Sequence, residues 1–596
     1  MKLNLMKKRL KITSLFVLFT SVIFGQADST IQSNWKFKID STYTELIKMN
    51  KITGASIAIV QGGKIVYAEG FGFQNKTNGI KADANTIYRI GSITKSFTGV
   101  AIMQLQEKGK LKVEDPIQNY LPQLKIQSRF TNDNSIRICD MMSHTSGLPS
   151  DLTNGFFCDN PPTIDWVIEQ LNKCTMSAPA RYQHSYSNVG YGVLGKLIEA
   201  VSGQEYDAYI KEHIFKIMDM KSSGVKFDES YNAQISKGYV DGKEMDETQI
   251  TDIAAGLISS SVLDMGNYMN MFMANGKAIN GEVLTSNSIQ EMMKNRTADI
   301  TLPTTIEWGY GLYSNKISIV SDSDTLNTKI VGHGGDTWAF HADFQFIPEL
   351  NVGAVILTNS DNGVKITSAR NLIRQYLKET EGKKLVSSLD SLNRVIANDI
   401  KCVPSEVLGT YVFSGIRMDV KNVEKIKMNQ GAHKIVLSAK NDSLVYTGKV
   451  KLFKLIPMKI KNQEFKFVKH GDQVYFKAAN AKTKAEEYIS KKSVSKETPE
   501  SWRKMLGKYE SVGDKFECKD CPYMDFGTLE VKLKEKKGQL VGYIKGKSKD
   551  TKSFTMLEVV SDDICVTPGI GRNTGETVRI LENGNLFYSG FELKKL

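Results

Sequence analysis

Ser92 and Lys95 stand three residues apart in YRIGSITKSFTGVAIMQLQEKGK, where a short extended run gives way to a helical pattern. Phe97, Ala101 and Leu105 recur every four residues, and Gly109 follows as a stop. That spacing puts a hydroxyl and an amine on one face at the start of a helix. A serine hydroxyl is a weak nucleophile until a neighbour takes its proton. An amine can do so when burial or nearby positive charge lowers its pKa. The free N–H groups of a helix start also favour developing negative charge. Alone, S-x-x-K is common, and the plain alternative is a capped surface helix.

Two other places supply complementary groups. Tyr186-Ser187-Asn188 lies in HSYSNVGYGVLGKLIEAVSG, a loop just before another helix. A tyrosine near cations can ionise and act as a base, and an asparagine can orient a substrate amide. His333-Gly334-Gly335 reads as the start of a strand. Paired glycines let the backbone approach a substrate closely, and His333 can donate to a carboxylate or steady Tyr186.

The elements that must position these groups are those of a mixed α/β domain, from about residue 35 to 380. GASIAIVQGGKIVYAEGFG predicts two strands joined at Gly62-Gly63. SIRICDMMSHTSGLPS predicts a short helix and a tight Ser-Gly loop, with Cys139 as a small core residue. TDIAAGLISSSVLDMGNYMNMFMANGK predicts a turn entering an amphipathic helix whose Met269, Met271 and Met273 fill the core. KIVGHGGDTWAFHADFQFIPELNVGAVILTNSD reads as three strands with a turn at Pro348-Glu349.

The chain of 596 residues is long enough for several domains. It opens with a basic stretch, an apolar run from Ile12 to Phe24, and small residues at Gly25 and Ala27. This is the layout of a signal peptide over residues 1–27, removed near 25–27, and the expectation is an exported protein, periplasmic or secreted. The run is short for a bilayer span and no later segment is apolar enough, so no stable membrane insertion is expected after cleavage. Of the formal charge of +13, five positives (Lys2, Lys7, Lys8, Arg9, Lys11) belong to that leader, leaving the mature chain near +8. No basic helix or aromatic-basic array points to nucleic acid as a partner. Seven cysteines are an odd number for an exported chain. Cys518-x-x-Cys521 lacks the further ligands a zinc site needs, and reads as a local disulfide or two thiols. Cys158 and Cys174 could be bridged.

In their order and spacing, these motifs resemble the penicillin-recognising serine hydrolases: class C β-lactamases, D-alanyl-D-alanine carboxypeptidases, D-aminopeptidases and related esterases. The resemblance spans about residues 40–380. It rests on Ser92 to Lys95, Tyr186 to Asn188, His333 to Gly335, Met142-Ser143-His144-Thr145-Ser146-Gly147-Leu148-Pro149 and Ala254-Ala255-Gly256-Leu257. It implies an antiparallel sheet flanked by helices and an acyl-enzyme on Ser92. Lys95 and Tyr186 would share the acid and base work, and Asn188 would hold the substrate amide. His333 would stand where a lysine is usual, and the oxyanion hole would be the N–H groups of Ser92 and of Asp336, just after Gly335. The family needs no metal or organic cofactor, and His144 is expected to be structural. Departures from the family pattern are Ala180 after Pro179, Ala339 and His341 on the H-x-G strand, and H-G-G in place of K-T-G. The last of these argues against an efficient β-lactamase.

Residues 381–403 read as a polar, helix-like linker. Beyond it, short alternating runs predict two all-β, barrel-like domains at 404–495 and 500–596. Each opens alike, with Val407-Leu408-Gly409-Thr410-Tyr411 and Met505-Leu506-Gly507-Lys508-Tyr509. They resemble the lipocalin-like modules of D-aminopeptidases, as a gate over the active site or as packing modules. Gly569-Ile570-Gly571-Arg572 is not a dinucleotide loop, for no strand–helix unit surrounds it.

The expected function is therefore a serine hydrolase acting on a small amide or ester, with D-amino-acid peptides among the candidates. The alternatives are a peptidoglycan carboxypeptidase or weak β-lactamase, a non-catalytic receptor for wall fragments or β-lactams, and a carbohydrate- or lipid-binding protein whose barrels do the work. Turnover distinguishes the enzymes from a receptor, and binding by residues 400–596 alone would mark the last.

Overall fold

The structure is a computed structural model. It describes residues 35–596 apart from 131–134, 226–232, 246–247, 364–367, 388–398, 414–415, 431–432, 441–442, 453–455, 481–485, 494–496, 514–515, 517–528, 537 and 546–551. The leader and the Cys518-x-x-Cys521 pair lie outside the described residues.

Helix α1 (residues 35–48) leads into β1 (Gly54–Gln61) and β2 (Lys64–Asn75). The turn between the strands is Gly62-Gly63, with φ of 58° and 77°, backbone that glycine adopts without steric cost. Helices α2 (Thr94–Glu107), α3 (Asn188–Ser202) and α4 (Val262–Met273) follow. Then come β3 (Tyr313–Val320), β4 (Thr325–Asp336), β5 (His341–Ile347) and β6 (Val352–Thr358), and α5 (Ala369–Glu381) closes the domain. The strands pair antiparallel in the order β3-β4-β5-β6-β1-β2, so the chain's early hairpin sits beside its late strands.

The two central strands are mostly apolar because both faces are covered. In β1, Ala55, Ile57 and Ile59 face α1 and α5 through Trp35, Ile39, Leu372 and Ile373. Ala58 and Val60 face the larger core around α2 and α4. There Phe97 stacks on Tyr268 at a centroid distance of 3.8 Å, and Met269, Met271 and Met273 are buried as filler. Cys139, Cys158 and Cys174 are buried free thiols, so the possible Cys158–Cys174 bridge is not formed.

Two local readings are corrected. His333 lies near the end of β4, not at the start of a strand, because pairing with β3 begins already at Thr325. Within the linker, Lys384–Ser387 is a strand on β3, not helical. Gly382 ends α5 in a left-handed conformation, and Leu385 is then buried on the sheet.

Both C-terminal units are all-β and barrel-like. In the first, six strands from Lys425 to Lys491 pair in sequence order, and the hairpin Gly409–Phe413/Ile416–Val420 lies between the two edges. In the second, the ends of a nine-stranded sheet are Lys552–Met556 and Glu558–Val559, separated only by Leu557. The sheet thus nearly closes on itself, as an eight-stranded barrel with one broken strand. The paired L-G-x-Y motifs have one physical role. Lys492 crosses Gly409 and its Nζ donates to the Glu406 carbonyl at 2.7 Å, while Lys595 crosses Gly507 and donates to the Lys504 carbonyl at 2.7 Å. A Cβ at Gly409 or Gly507 would lie 2.7 or 2.8 Å from the crossing Cε. Tyr411 and Tyr509 each donate back to a carbonyl four residues upstream.

Among the described residues, no helix is long and apolar enough to cross a membrane. Removing the ring that joins α2 to α4 tests the core: Phe97→Ala is expected to cost about 3–5 kcal/mol in chemical denaturation, and a loss below about 1 kcal/mol would contradict this packing.

Candidate functional site

Ser92 sits in a single tight turn, Gly91–Ile93, that runs directly into α2 and puts Lys95 in the first helical turn. The Lys95 side chain is fully buried, with its Nζ 3.2 Å from Ser92 Oγ, 2.7 Å from Asn188 Oδ1 and 2.7 Å from the Ala255 carbonyl. Burial, reinforced by the positive charge of Arg572, pushes the Lys95 amine well below the ordinary lysine value, against the opposing pull of Asp151 and Asp252. As an ammonium, Nζ donates to all three oxygens; once deprotonated it keeps the bonds to Asn188 and Ala255 and turns its lone pair to the Ser92 hydroxyl.

Tyr186 precedes α3, whose N-cap is Ser187: the Ser187 hydroxyl accepts from the Gly190 N–H at 2.9 Å and donates to the Pro149 carbonyl at 2.6 Å. Asn188 is the first helical residue and donates through Nδ2 to Asp151 at 2.7 Å. Tyr186 hydrogen-bonds Ser92, and its ring lies 4.8 Å from Lys95 Nζ. Burial raises its pKa, although the Ser92 contact and Arg572 act in the opposite sense. The phenol is therefore held protonated, a proton donor at rest and not a standing phenolate. His144 has a left-handed backbone (φ 57°) and accepts the Ser187 N–H through Nδ1 at 3.1 Å, the structural place expected of it.

β4 brings up the opposite wall. Gly335 packs directly on the Ile90–Ser92 backbone: a Cβ there would lie 1.9 Å from the Ile90 carbonyl oxygen and 3.2 Å from the Ser92 nitrogen. Gly91 (φ 51°) meets it reciprocally, with its absent Cβ 2.7 Å from the Asp336 nitrogen. The two glycines thus draw the Ser92 and Asp336 N–H groups together beside the serine. His333 is 3 % exposed among Tyr186, Trp308 and Tyr313, and its Nδ1 is 2.5 Å from the Gly334 carbonyl. Burial lowers its pKa to about 4, so it is neutral at pH 7 and supplies no cation. The Asp336 carboxylate, 64 % exposed, pairs with His341 at 2.7 Å.

Of the seven residues singled out in the sequence, Ser92, Tyr186, Asn188, His333 and Asp336 line one cavity of about 490 Å³, while Lys95 and Gly335 do not line it but pack against Ser92. Phe156, Phe157, Ile250, Tyr313 and Trp338 line it with apolar surface, and Phe157 and Trp338 pack at 4.9 Å. Asp151, Asp252 and Arg572 were missed by the sequence reading. Asp151 directly follows the Leu-Pro-Ser run, but only the fold shows it bridging Asn188 and Arg572. Arg572 comes from the last barrel, 421 positions from the Asp151 it pairs with at 3.0 Å, and had no local signal. Among the described residues, no three His, Cys, Asp or Glu side chains are placed to hold a metal ion.

Residues 39–378, more than half of the chain, match the beta-lactamase family. The chain belongs to that family, a family of serine hydrolases. It is 25 % identical over 386 residues to the protein flp of Staphylococcus aureus (strain MW2), a match covering 64 % of this chain and 74 % of that one. It is also 30 % identical over 285 residues to beta-lactamase-like protein 2 of Dictyostelium discoideum, covering 45 % of this chain and 50 % of that one. The octameric penicillin-binding protein homologue of Pyrococcus abyssi shares the fold, with a TM-score of 0.50 and 23 % identity, covering 76 % of this chain and 99 % of that one.

Contact between β4 and the Ser92 turn makes a paired prediction. Gly335→Ala is expected to lower the melting temperature and to cost at least about 100-fold in acylation of Ser92, because one of two oxyanion donors is displaced. Gly334→Ala, whose Cβ would meet nothing closer than 3.8 Å, is expected to keep the wild-type melting temperature. Equal melting temperatures for the two variants would contradict the packing.

Proposed function

We propose that the chain is an exported serine hydrolase that cleaves a small amide or ester through an acyl-enzyme on Ser92, with D-amino-acid peptides among its candidate substrates. The observation that carries this reading is the fully buried Lys95 amine, within 3.2 Å of Ser92 Oγ and with both its N–H groups otherwise engaged.

In this mechanism Ser92 Oγ attacks the carbonyl carbon and its proton passes to Lys95 Nζ. The oxygen that becomes negative is met by the N–H groups of Ser92 and Asp336. Tyr186, protonated and hydrogen-bonded to Ser92, supplies a proton to the departing amine or alcohol as its bond to carbon breaks, and is reprotonated from Lys95. Water then attacks the ester, its proton returns through the same groups, and Ser92 regains its hydrogen. Asn188 holds both the amine and the substrate amide, and Asp151 fixes its orientation.

A neutral His333 in place of the usual lysine disfavours the β-lactamase reading, since no charge there grips a drug carboxylate. Export rests on the basic and apolar leader, and the mature chain is expected to begin after residues 25–27.

Reaction with a fluorophosphonate followed by peptide mapping tests the assignment. A single adduct at Ser92 is expected, absent in Ser92→Ala, together with turnover of at least one member of a panel of L- and D-configured amides, esters and β-lactams. An adduct persisting in Ser92→Ala would sink the catalytic assignment. Stoichiometric acylation without any turnover would favour a receptor instead.

A further inference from the structure

The cavity is completed by a residue from outside the catalytic domain. The segment Gly569–Glu576 leaves the second barrel and runs over the site as a pinned arm. Ile570 packs among Leu302, Val468 and Tyr475. The Gly571 carbonyl accepts from Ser185 Oγ at 3.2 Å and from Thr574 Oγ1 at 2.7 Å. The Asn573 N–H donates to Ser150 Oγ at 2.8 Å, and Glu576, buried, accepts the Ser150 N–H at 3.0 Å. Gly575 packs on the Ser177 backbone so closely that a Cβ would lie 2.3 Å from its carbonyl oxygen. Between these anchors Arg572 reaches the cavity wall.

Its guanidinium lies 5.2 Å from the centre of the Tyr186 ring and donates one hydrogen bond at 3.0 Å, to Asp151. A guanidinium carries more N–H donors than that contact uses, in a planar fork suited to a carboxylate. The side chain is 47 % exposed, so its free edge is open to the cavity. Lys95, the other basic side chain beside Ser92, is fully buried with its amine turned to Ser92, Asn188 and Ala255, and His333 is uncharged. Phe156, Phe157 and Trp338 line the same cavity. The cavity therefore offers both a fixed positive fork and an aromatic surface.

We propose that Arg572 is the specificity-determining residue of this hydrolase, reading a carboxylate on the substrate, so that preferred substrates pair an anionic group with an apolar body. The inference rests on the acyl-enzyme reading above. The second barrel then completes the substrate site in the same chain.

The test uses the full-length protein and p-nitrophenyl esters of matched chain length: the adipate monoester (anionic), the hexanoate (neutral) and the 6-aminohexanoate (cationic), each corrected for spontaneous hydrolysis. Wild type is expected to show the highest kcat/KM on the adipate ester. The adipate-to-hexanoate ratio is expected to fall about ten- to hundredfold in Arg572→Gln, the scale of a charge-assisted hydrogen-bonded pair, and by less in Arg572→Lys, which keeps the charge and loses the fork. If Arg572→Gln does not fold, the ratio is read in Arg572→Lys instead, where the smaller fall is expected. A ratio unchanged by substitution, equal loss on all three esters, or a wild-type preference for the cationic ester (as if Asp336 were the reader) would each overturn the proposal. Fluorophosphonate labelling is run alongside: labelling of Ser92 with an unchanged ratio counts against Arg572 alone, whereas no labelling of wild type counts against the acyl-enzyme itself.

Discussion

The rest of the site depends on one desolvated amine. A lysine ammonium carries three N–H groups and a full charge, and removing it from water is costly unless the charge is matched. Here the carboxylates that favour the charge are not in contact with it: the contacts of Lys95 Nζ are the Ser92 hydroxyl, an amide oxygen and a backbone carbonyl. The cheaper solution is to lose the proton, and an amine that has lost its proton beside a serine is a base. In the proposed mechanism, burial that would be a defect elsewhere in the core is the source of reactivity.

Several distant parts of the chain hold that arrangement. The Gly91–Ile93 turn carries Ser92 and the first turn of α2 carries Lys95, the start of α3 presents Tyr186 and Asn188, and the Ala255 carbonyl closes the amine's shell. β4 then lies against the Ser92 turn so closely that only glycine fits at positions 91 and 335. Asp151 links this inner set to the outer barrel, bonding Asn188 on one side and Arg572 on the other. Arg572 acts on the chemistry at a distance, since its charge further disfavours the Lys95 ammonium and eases ionisation of Tyr186. The barrel is thus coupled to the acid–base groups as well as shaping the cavity.

Much of this was legible in the sequence because it is local. The S-x-x-K spacing needs only one helical turn, Tyr-Ser-Asn needs only a capped helix start, and the glycines of H-G-G announce close backbone contact. The period-two runs after residue 400 gave the all-β units, and the repeated L-G-x-Y had a cause that only coordinates reveal, a lysine crossing each glycine. What sequence could not carry was set by neighbours remote in the chain. The neutrality of His333 comes from its burial among aromatic rings, and strand pairing of Lys384–Ser387 comes from the edge of β3. Arg572 belongs to an unremarkable loop until a barrel docks and brings it to Ser92.

The most direct measurement of the central claim is the pH dependence of the second-order rate constant for fluorophosphonate acylation of Ser92. Because the neutral amine is the base, the rate must rise as Lys95 loses its proton. The account predicts a plateau reached well below pH 10.5, the ordinary lysine value, and loss of that limb in Lys95→Arg, whose side chain stays charged. A rate that climbs only near pH 10.5, or that keeps its limb in Lys95→Arg, would contradict it.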